Sequence, residues 1–576
     1  MYTAPVGEIL FTLQHVAGMA GDGSDPLDET LAAAILTEAG RFASNEIAPL
    51  AATGDRAGAT LADGVVTAPP GWAALYRAWA AAGWNGLGAP EAHGGQGLPH
   101  RLHVAAMEMW NSGSMAFALA PILTTGAIEA IDRHATDALK ALYLPKMVSG
   151  EWTGTMNLTE PQAGSDLGAL SARAERRTDG SYRLFGQKIF ITWGEHDLTE
   201  NIVHLVLARL PDAPEGTRGI SLFLVPKFLP NAEGRPGARN DLFCHAIERK
   251  LGIHGSPTCT MIFGDGRFGA EKGAVGYLVG EEHRGLACMF TMMNNARLTV
   301  GTQGVAIAEV ATQKALAYAR ERRQGRAGGE KGGPMSPIVA HPDIARTLLL
   351  MKALTQGARA ITYACADAID RAGTETGDRA RFWQGRAGLM TPIAKAFATD
   401  VGVDVASMGI QVHGGMGFIE ETGAARLYRD ARIAPIYEGT NGIQAIDLVT
   451  RKLTLEGGGH VRDFIAGLAG AAGEGRLGEA VRALSDATEH LLALQAAGRP
   501  EEALAVATPY LRLFGLVLSG VYLTRGGSVD AGDGRQAERQ ALARFAVDWL
   551  LPETSALRAV VTGGAGSLDA ARFLLA

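Results

Sequence analysis

The chain has 576 residues, a formal net charge of −7 and 47% hydrophobic residues, which suits a soluble globular protein of several domains rather than a single core. The balance of charge and the lack of any long Lys/Arg run argue against nucleic acid as a partner. Four cysteines, Cys244, Cys259, Cys288 and Cys365, have no CxxC spacing and are too sparse for a disulfide scaffold, so reduced thiols in a cytoplasmic protein are expected.

The first stretch, "MYTAPVGEILFTLQHVAGMAGDG", lacks the basic segment of a signal peptide, and Glu8 and Gln14 interrupt its apolar residues, so export is not expected. Residues 1–152 carry apolar side chains at helical spacing in an Ala-rich background and predict an N-terminal helical domain. The pattern changes over residues 153–284. There "SYRLFGQKIFIT", "NIVHLVLARL" and "GISLFLVPKF" are short, β-branched or alternating, and separated by Gly, Asp and Pro clusters, which predicts a β-domain.

Helical spacing returns over residues 285–455 in "TVGTQGVAIAEVATQKALAYARERR" and "IAKAFATDVGVDVASMGIQ", the signature of a helical bundle. "EGGGH" then reads as a linker, and residues 456–576 as an extra helical domain of three segments. Within it, "VATPYLRLFGLVLSGVYLTR" contains Pro509 and Arg512 and falls short of the ~20 uninterrupted apolar residues of a membrane span. A buried helix is expected, and no membrane.

Five short motifs could carry chemistry. "MNLTEPQAGSD" (156–166) sets Thr159, Gly164 and Ser165 around a proline turn, which suits either a polar ring edge or a plain connection. In "KIFITWGEHD", Phe190 and Thr192 stand two apart, on one face of a strand, a site for a flat heteroaromatic or for core packing. "QVHGGMGF" (411–418) does not satisfy the GxGxxG dinucleotide pattern and is compatible with a phosphate-approach loop or a helix-ending turn. "ARERRQGR" (319–326) reads as a solvated face or a pyrophosphate clamp. Glu438, in "APIYEGTNGIQ", is either a turn carboxylate or a base whose bulky neighbours Ile436 and Tyr437 desolvate it while Gly439 lets a ligand approach. No cluster with metal-ligand spacing, GxSxG or P-loop is present.

Taken in order, "LTEPQAGSD", "GQKIFIT", "ARLTVGTQGVA", "QVHGGMGF" and "IYEGTNGIQ" closely resemble the acyl-CoA dehydrogenase family. The length, "CHAIERKLGIHGSPTC" and the extra C-terminal domain resemble its long bacterial subfamily, which includes the 3-methylmercaptopropionyl-CoA dehydrogenases. The resemblance implies a mainly α fold with a central β-domain (barrel or sandwich), a four-helix bundle and an FAD cofactor.

By motif match it implies flavin contacts from Met156, Leu158, Thr159, Gly164, Ser165, Phe190, Thr192 and Thr440. It implies a pyrophosphate site at Arg322 and Gln324, and an adenosine-diphosphate site at Gln411, Gly414 and Gly415. These last two sites serve the neighbouring subunit's flavin in the family, so a homodimer or homotetramer is implied. Glu438 falls on the catalytic base, which removes the α-proton of an acyl-CoA thioester; Ser165, Asn294, Arg297 and Gly439 fall on the substrate side. Electrons would pass to an electron-transfer flavoprotein.

Three positions depart from the family pattern. The usual Phe after Arg322 is missing, Phe190 stands where many members have Trp, and Asn294 replaces a common Asp. An oxygen-using acyl-CoA oxidase shares the same base and flavin. A DNA-associated flavoprotein branch of the fold presents a basic C-terminal surface. Here residues 456–576 hold eleven Arg and no Lys against fourteen Asp and Glu, a net −3 that disfavours phosphate binding.

Overall fold

The computed structural model describes residues 2–18, 28–269, 271–329 and 332–575 and divides into two compact units. One comprises Met1–Arg41, His100–Ser112 and Arg297–Ala576; the other comprises Phe42–Pro99 and Gly113–Ala296.

In the second unit a short hairpin pairs β1 (Thr60–Ala62) with β2 (Val65–Thr67). The helical reading of residues 1–152 passes over it. Its signal is the Asp63-Gly64 turn between β-branched residues: both have positive φ, 51° and 79°, as a tight hairpin turn requires. The main sheet follows with β3 (Trp152–Asn157), β4 (Arg173–Arg176), β5 (Tyr182–Thr192), β6 (Asn201–Arg209) and β7 (Ile220–Pro226). After the small β8 (Phe228–Pro230) and β9 (Pro236–Arg239) pair come β10 (Leu242–Ile247), β11 (Thr258–Phe263) and β12 (Ala274–Val279).

The strand order is β10-β11-β5-β12-β7-β6-β3, and β4 pairs with both β5 and β6. That double pairing closes β5, β12, β7, β6 and β4 into a ring. Strands β6 and β7 are buried along almost their whole length, which is why their sequences read as continuous apolar runs rather than alternating ones. Trp72, 1% exposed, packs between a helix and the loops of the β-domain: a Cβ on Gly54 would lie 2.2 Å from its ring and one on Gly255 2.5 Å. It stacks on Trp193 at 6.1 Å and meets Phe117 edge-on at 5.6 Å.

The first unit is helical. The long helices Pro342–Thr374 and Gly377–His413 pack on each other and on Ala507–Ser528, so the C-terminal segment is part of the same body as the bundle. "EGGGH" is a tight reversal rather than a slack tether: Glu456, Gly457 and Gly458 all have positive φ. Beyond it stand seven α-helices among the described residues where the periodicity predicts three segments. Pro500 and Pro552 each begin a helix, the position where a missing N–H costs nothing, and they divide runs that periodicity alone joins. Ala507–Ser528 is largely buried.

Among the described residues, the one helix long and apolar enough to cross a membrane is His100–His134, with 78% of its apolar window buried inside the fold. Ser114 breaks its helical dihedrals (φ −161°, ψ 106°).

The closeness of the C-terminal helices to the bundle is testable at Gly515. A Cβ there would lie 2.3 Å from Cδ2 of the buried Phe397 ring, so Gly515→Ala should destabilise the protein by about 1–3 kcal/mol. Urea denaturation checks this; an unchanged midpoint would show that the ring can yield.

Candidate active site

In the helical unit, the loop around Glu438 is clamped from several directions. It runs from the Ala424–Ala431 helix to Asn441–Asp447, and Thr440 caps the latter by accepting the Ile443 N–H at 3.2 Å. Glu438 has φ 55°, a left-handed conformation that costs a non-glycine residue about 1–3 kcal/mol and persists only where the surroundings impose it. They do so here. The Tyr437 hydroxyl donates to Gln303 Oε1, and Gln303 donates in turn to Asn111 Oδ1 at 3.2 Å. The Gln444 side-chain amide donates to the carbonyls of Glu438 at 3.5 Å and Gly439 at 3.3 Å. Gly439 is itself left-handed, and a Cβ on it would lie 2.8 Å from Gln444 Nε2, so no larger residue fits without displacing that clamp.

Two buried cations flank the carboxylate. Arg297, 7% exposed, lies 3.7 Å from Asp447 Oδ2, and its Nε has no hydrogen-bond partner. Lys395 is fully buried and donates to Asn441 Oδ1 at 2.9 Å; Asn441 continues to Asp400 Oδ1 at 2.7 Å. Burial raises the Glu438 carboxyl above the ordinary range, and the charges of Arg297 and Lys395 oppose that rise. Burial also pulls the Lys395 amine down to about 7, against the attraction of Glu438 and Asp400. The result is a carboxylate with heightened basicity that remains ionisable, the combination a general base needs.

Motif reading does not find Lys395, Asn441, Gln444 or Gln303. The available signal is a lysine within "TPIAKAFATD", an otherwise apolar helix stretch where an unpaired charge is rare. Arg297 is placed beside Gly439, whose Cβ would lie 4.0 Å from its Nη2, and is therefore a neighbour of the base loop. Asn294 sits on the helix Gly285–Glu321, with its side chain outside the described residues.

In the same unit, Tyr318 and His413 stack at 4.5 Å, which joins the end of the Gly285–Glu321 helix to the end of Gly377–His413. One turn beyond Tyr318, the exposed Arg322 donates to Gln324 Oε1 at 3.3 Å and has no carboxylate partner among the described residues. Beyond His413, Gly414 (φ 60°) and Gly415 have no atom within 4 Å of a would-be Cβ, and Gln411 is exposed. A free guanidinium beside open glycine backbone suits a diphosphate.

In the β unit, Phe190 sits on a bulge. The β11 register slips between Cys259↔Ile191 and Met261↔Lys188, so the buried face of β5 switches from Lys188 to Ile191 across Ile189 and Phe190. Phe190 takes φ 59° and leaves its ring 59% exposed. Thr192 is half-buried, and its carbonyl accepts from Thr155 Oγ1 at 2.7 Å. The turn from Glu160 to Ala163 is closed by two backbone bonds of 3.0 Å. Gly164 and Ser165 beyond it are exposed, and Gly164 meets nothing within 4 Å. Met156 is buried, and Leu158 and Thr159 are half-buried. An exposed aromatic face, hydroxyls and open backbone form a donor set that fits a flat heteroaromatic with polar edges. Among the described residues, no group of His, Cys, Asp and Glu could hold a metal ion.

Four family models match in order: "Acyl-CoA dehydrogenase, N-terminal domain" at residues 31–151, the corresponding middle domain at 155–265, the C-terminal domain at 283–453, and "Acetyl-CoA dehydrogenase C-terminal like" at 458–571. The chain is 47% identical over 537 residues to 3-methylmercaptopropionyl-CoA dehydrogenase of Ruegeria pomeroyi, covering 90% of each. It is 34% identical over 549 residues to a broad-specificity linear acyl-CoA dehydrogenase of Mycobacterium tuberculosis, covering 92% of this chain and 87% of that one. In fold it matches an acyl-CoA dehydrogenase complexed with FAD from Bacillus anthracis, with a TM-score of 0.73 at 21% identity over 96% and 91% of the chains.

Proposed function

The chain belongs to the acyl-CoA dehydrogenase family and is an oxidoreductase, and from that premise we propose that it binds FAD and converts an acyl-CoA thioester to the trans-2-enoyl-CoA. The observation that carries the reading is Glu438, half-buried and left-handed in its backbone, on a loop approached by the buried cations Arg297 and Lys395.

In this reading Glu438 removes the α-proton of the thioester. Its left-handed backbone fixes the direction of the carboxylate, and burial raises its affinity for the proton. Gly439 leaves room for the substrate beside the base, and the Glu438 backbone N–H polarises the thioester carbonyl, without which the α-proton is too weakly acidic. Bound FAD would supply the acceptor for the β-hydrogen as hydride. Phe190, Thr192, Thr159 and Ser165 would hold its ring system, and Arg322, Gln324, Gln411, Gly414 and Gly415 the diphosphate arm of the neighbouring subunit's FAD.

Electrons then pass to an electron-transfer flavoprotein. The exposed Met416, Phe418 and Ile419, contiguous with the diphosphate loop, support a homodimer or homotetramer in which that surface meets a second copy. A cytoplasmic location accords with the four free, buried thiols.

Reconstitution tests the cofactor part. Apoprotein should take up FAD and turn yellow, and Arg322→Ala should weaken FAD binding by about ten- to a hundredfold through loss of a charge-assisted contact, with little effect on turnover at saturating FAD. A protein that takes up no FAD would refute the reading. Equal FAD affinity in the variant would move the diphosphate contact to Arg323 or Arg326.

A further inference from the structure

Inside the β unit lies a buried ion pair that proton abstraction does not use. Lys188 on β5 is fully buried and Glu160 is 2% exposed, with Lys188 Nζ 2.7 Å from Glu160 Oε1. Every other bond these two groups make runs to one loop. Lys188 Nζ donates to the Leu158 carbonyl at 3.0 Å. Glu160 Oε1 accepts the Ala172 N–H at 3.0 Å. Its Oε2 accepts the Ser171 N–H at 2.7 Å, the Ser171 hydroxyl at 2.8 Å and the Gln162 amide at 2.8 Å. One residue along β5, the Ile189 N–H donates to the Thr159 carbonyl at 2.9 Å, and the next residue is Phe190 on its bulge.

We propose that Lys188 and Glu160 are a positioning pair for the cofactor ring, holding the Thr159–Ser165 turn and the Phe190 side chain in one fixed relation; the proposal rests on the flavin reading above. The departure and return of the loop, at Leu158 and at Ser171–Ala172, are both tied to one carboxylate and one amine. Neither group is accessible, so neither touches the cofactor, and their effect passes through the turn. Charge-assisted bonds are shorter and stronger than neutral ones, and a buried charge that loses a partner is heavily penalised, so this loop resists displacement far more than a neutral turn would. A ring whose polar edge meets backbone and hydroxyl groups at hydrogen-bond distance needs that rigidity, because errors of about half an ångström already degrade such a site.

The test is the double variant Lys188→Met/Glu160→Gln, which removes both charges and strands neither, alongside Lys188→Met alone. Phe223→Leu, a core change in the same unit where Phe223 packs on Tyr182 at 4.9 Å, serves as a stability control. Three quantities are read on the full chain: Tm, the Kd for FAD and for ADP by titration of the apoprotein, and the visible circular dichroism of bound flavin. The double variant should fold, raise the FAD Kd by about tenfold or more, lose the induced flavin dichroism and keep its ADP affinity. A folded double variant with wild-type FAD affinity and dichroism would overturn the proposal. So would the same losses in Phe223→Leu, since they would then reflect general loosening. Wild-type protein that binds no FAD would instead fail the flavin reading itself, a separate result.

Discussion

Glu438→Gln should retain FAD and fold while slowing α-proton abstraction by about 10²- to 10⁴-fold, the usual contribution of a general base. The amide keeps the size of the side chain, the bond from the Tyr437 hydroxyl to Gln303 and the Gln444 clamp on the loop's carbonyls, so the loss should fall on the rate of flavin reduction rather than on FAD binding. The wild-type rate should fall with decreasing pH at a point above the ordinary carboxylate range, because burial raises the Glu438 pKa. The same shift fixes a stability effect. A carboxyl whose pKa is raised in the folded state stabilises the protein below its unfolded pKa, and that contribution is lost as pH rises through the folded value. Above that value the charged Glu438 is therefore a burden that Gln removes, so the variant should melt at higher temperature than wild type at pH 8, with the gap closing in acid. Equal flavin reduction rates would assign the base elsewhere.

Arg359→Leu should be the most damaging single change to the helical unit. Arg359 and Glu108 are both fully buried. The Arg359 guanidinium donates through Nε to both Glu108 oxygens at 2.9 and 3.1 Å and through Nη2 to Glu309 Oε2 at 2.7 Å. Tyr363 adds a hydroxyl bond to Glu108 Oε2 at 2.6 Å. Removing the guanidinium that bonds both carboxylates leaves the fully buried Glu108 without a cationic partner, a loss of about 3–5 kcal/mol. The triple variant Arg359→Met/Glu108→Gln/Glu309→Gln should recover much of it, since an uncharged cluster strands nothing. Urea midpoints decide between these; an Arg359→Leu midpoint equal to wild type would show that water reaches the carboxylates.

The fold class was legible because hydrophobic period changes sharply along this chain, from helical spacing to short β-branched runs and back. Features decided by single residues were harder to read. The Asp63-Gly64 hairpin is a two-residue signal inside an Ala-rich helical background, and Pro500 and Pro552 reset helices whose apolar period continues across them.

At the site, the candidate base and the glycine beside it could be named from one loop because they are adjacent in sequence. Their supports come from far along the chain: Arg297, Gln303 and Lys395 approach Glu438 only through helix packing, and no local pattern encodes that. Phe190 illustrates a second limit. Strand alternation would set it on one face with Thr192, but the left-handed turn of Phe190 arises at a bulge that depends on the partner strand β11.

Anaerobic mixing of FAD-loaded protein with a panel of acyl-CoA thioesters, followed by flavin absorbance, shows whether Glu438 is the base and bound FAD the electron acceptor. Rapid bleaching by at least one saturated thioester, none by the corresponding free acid, and slow bleaching in Glu438→Gln is the predicted result. Flavin that stays oxidised across straight-chain, branched and thioether thioesters, or that bleaches equally fast in Glu438→Gln, would contradict it.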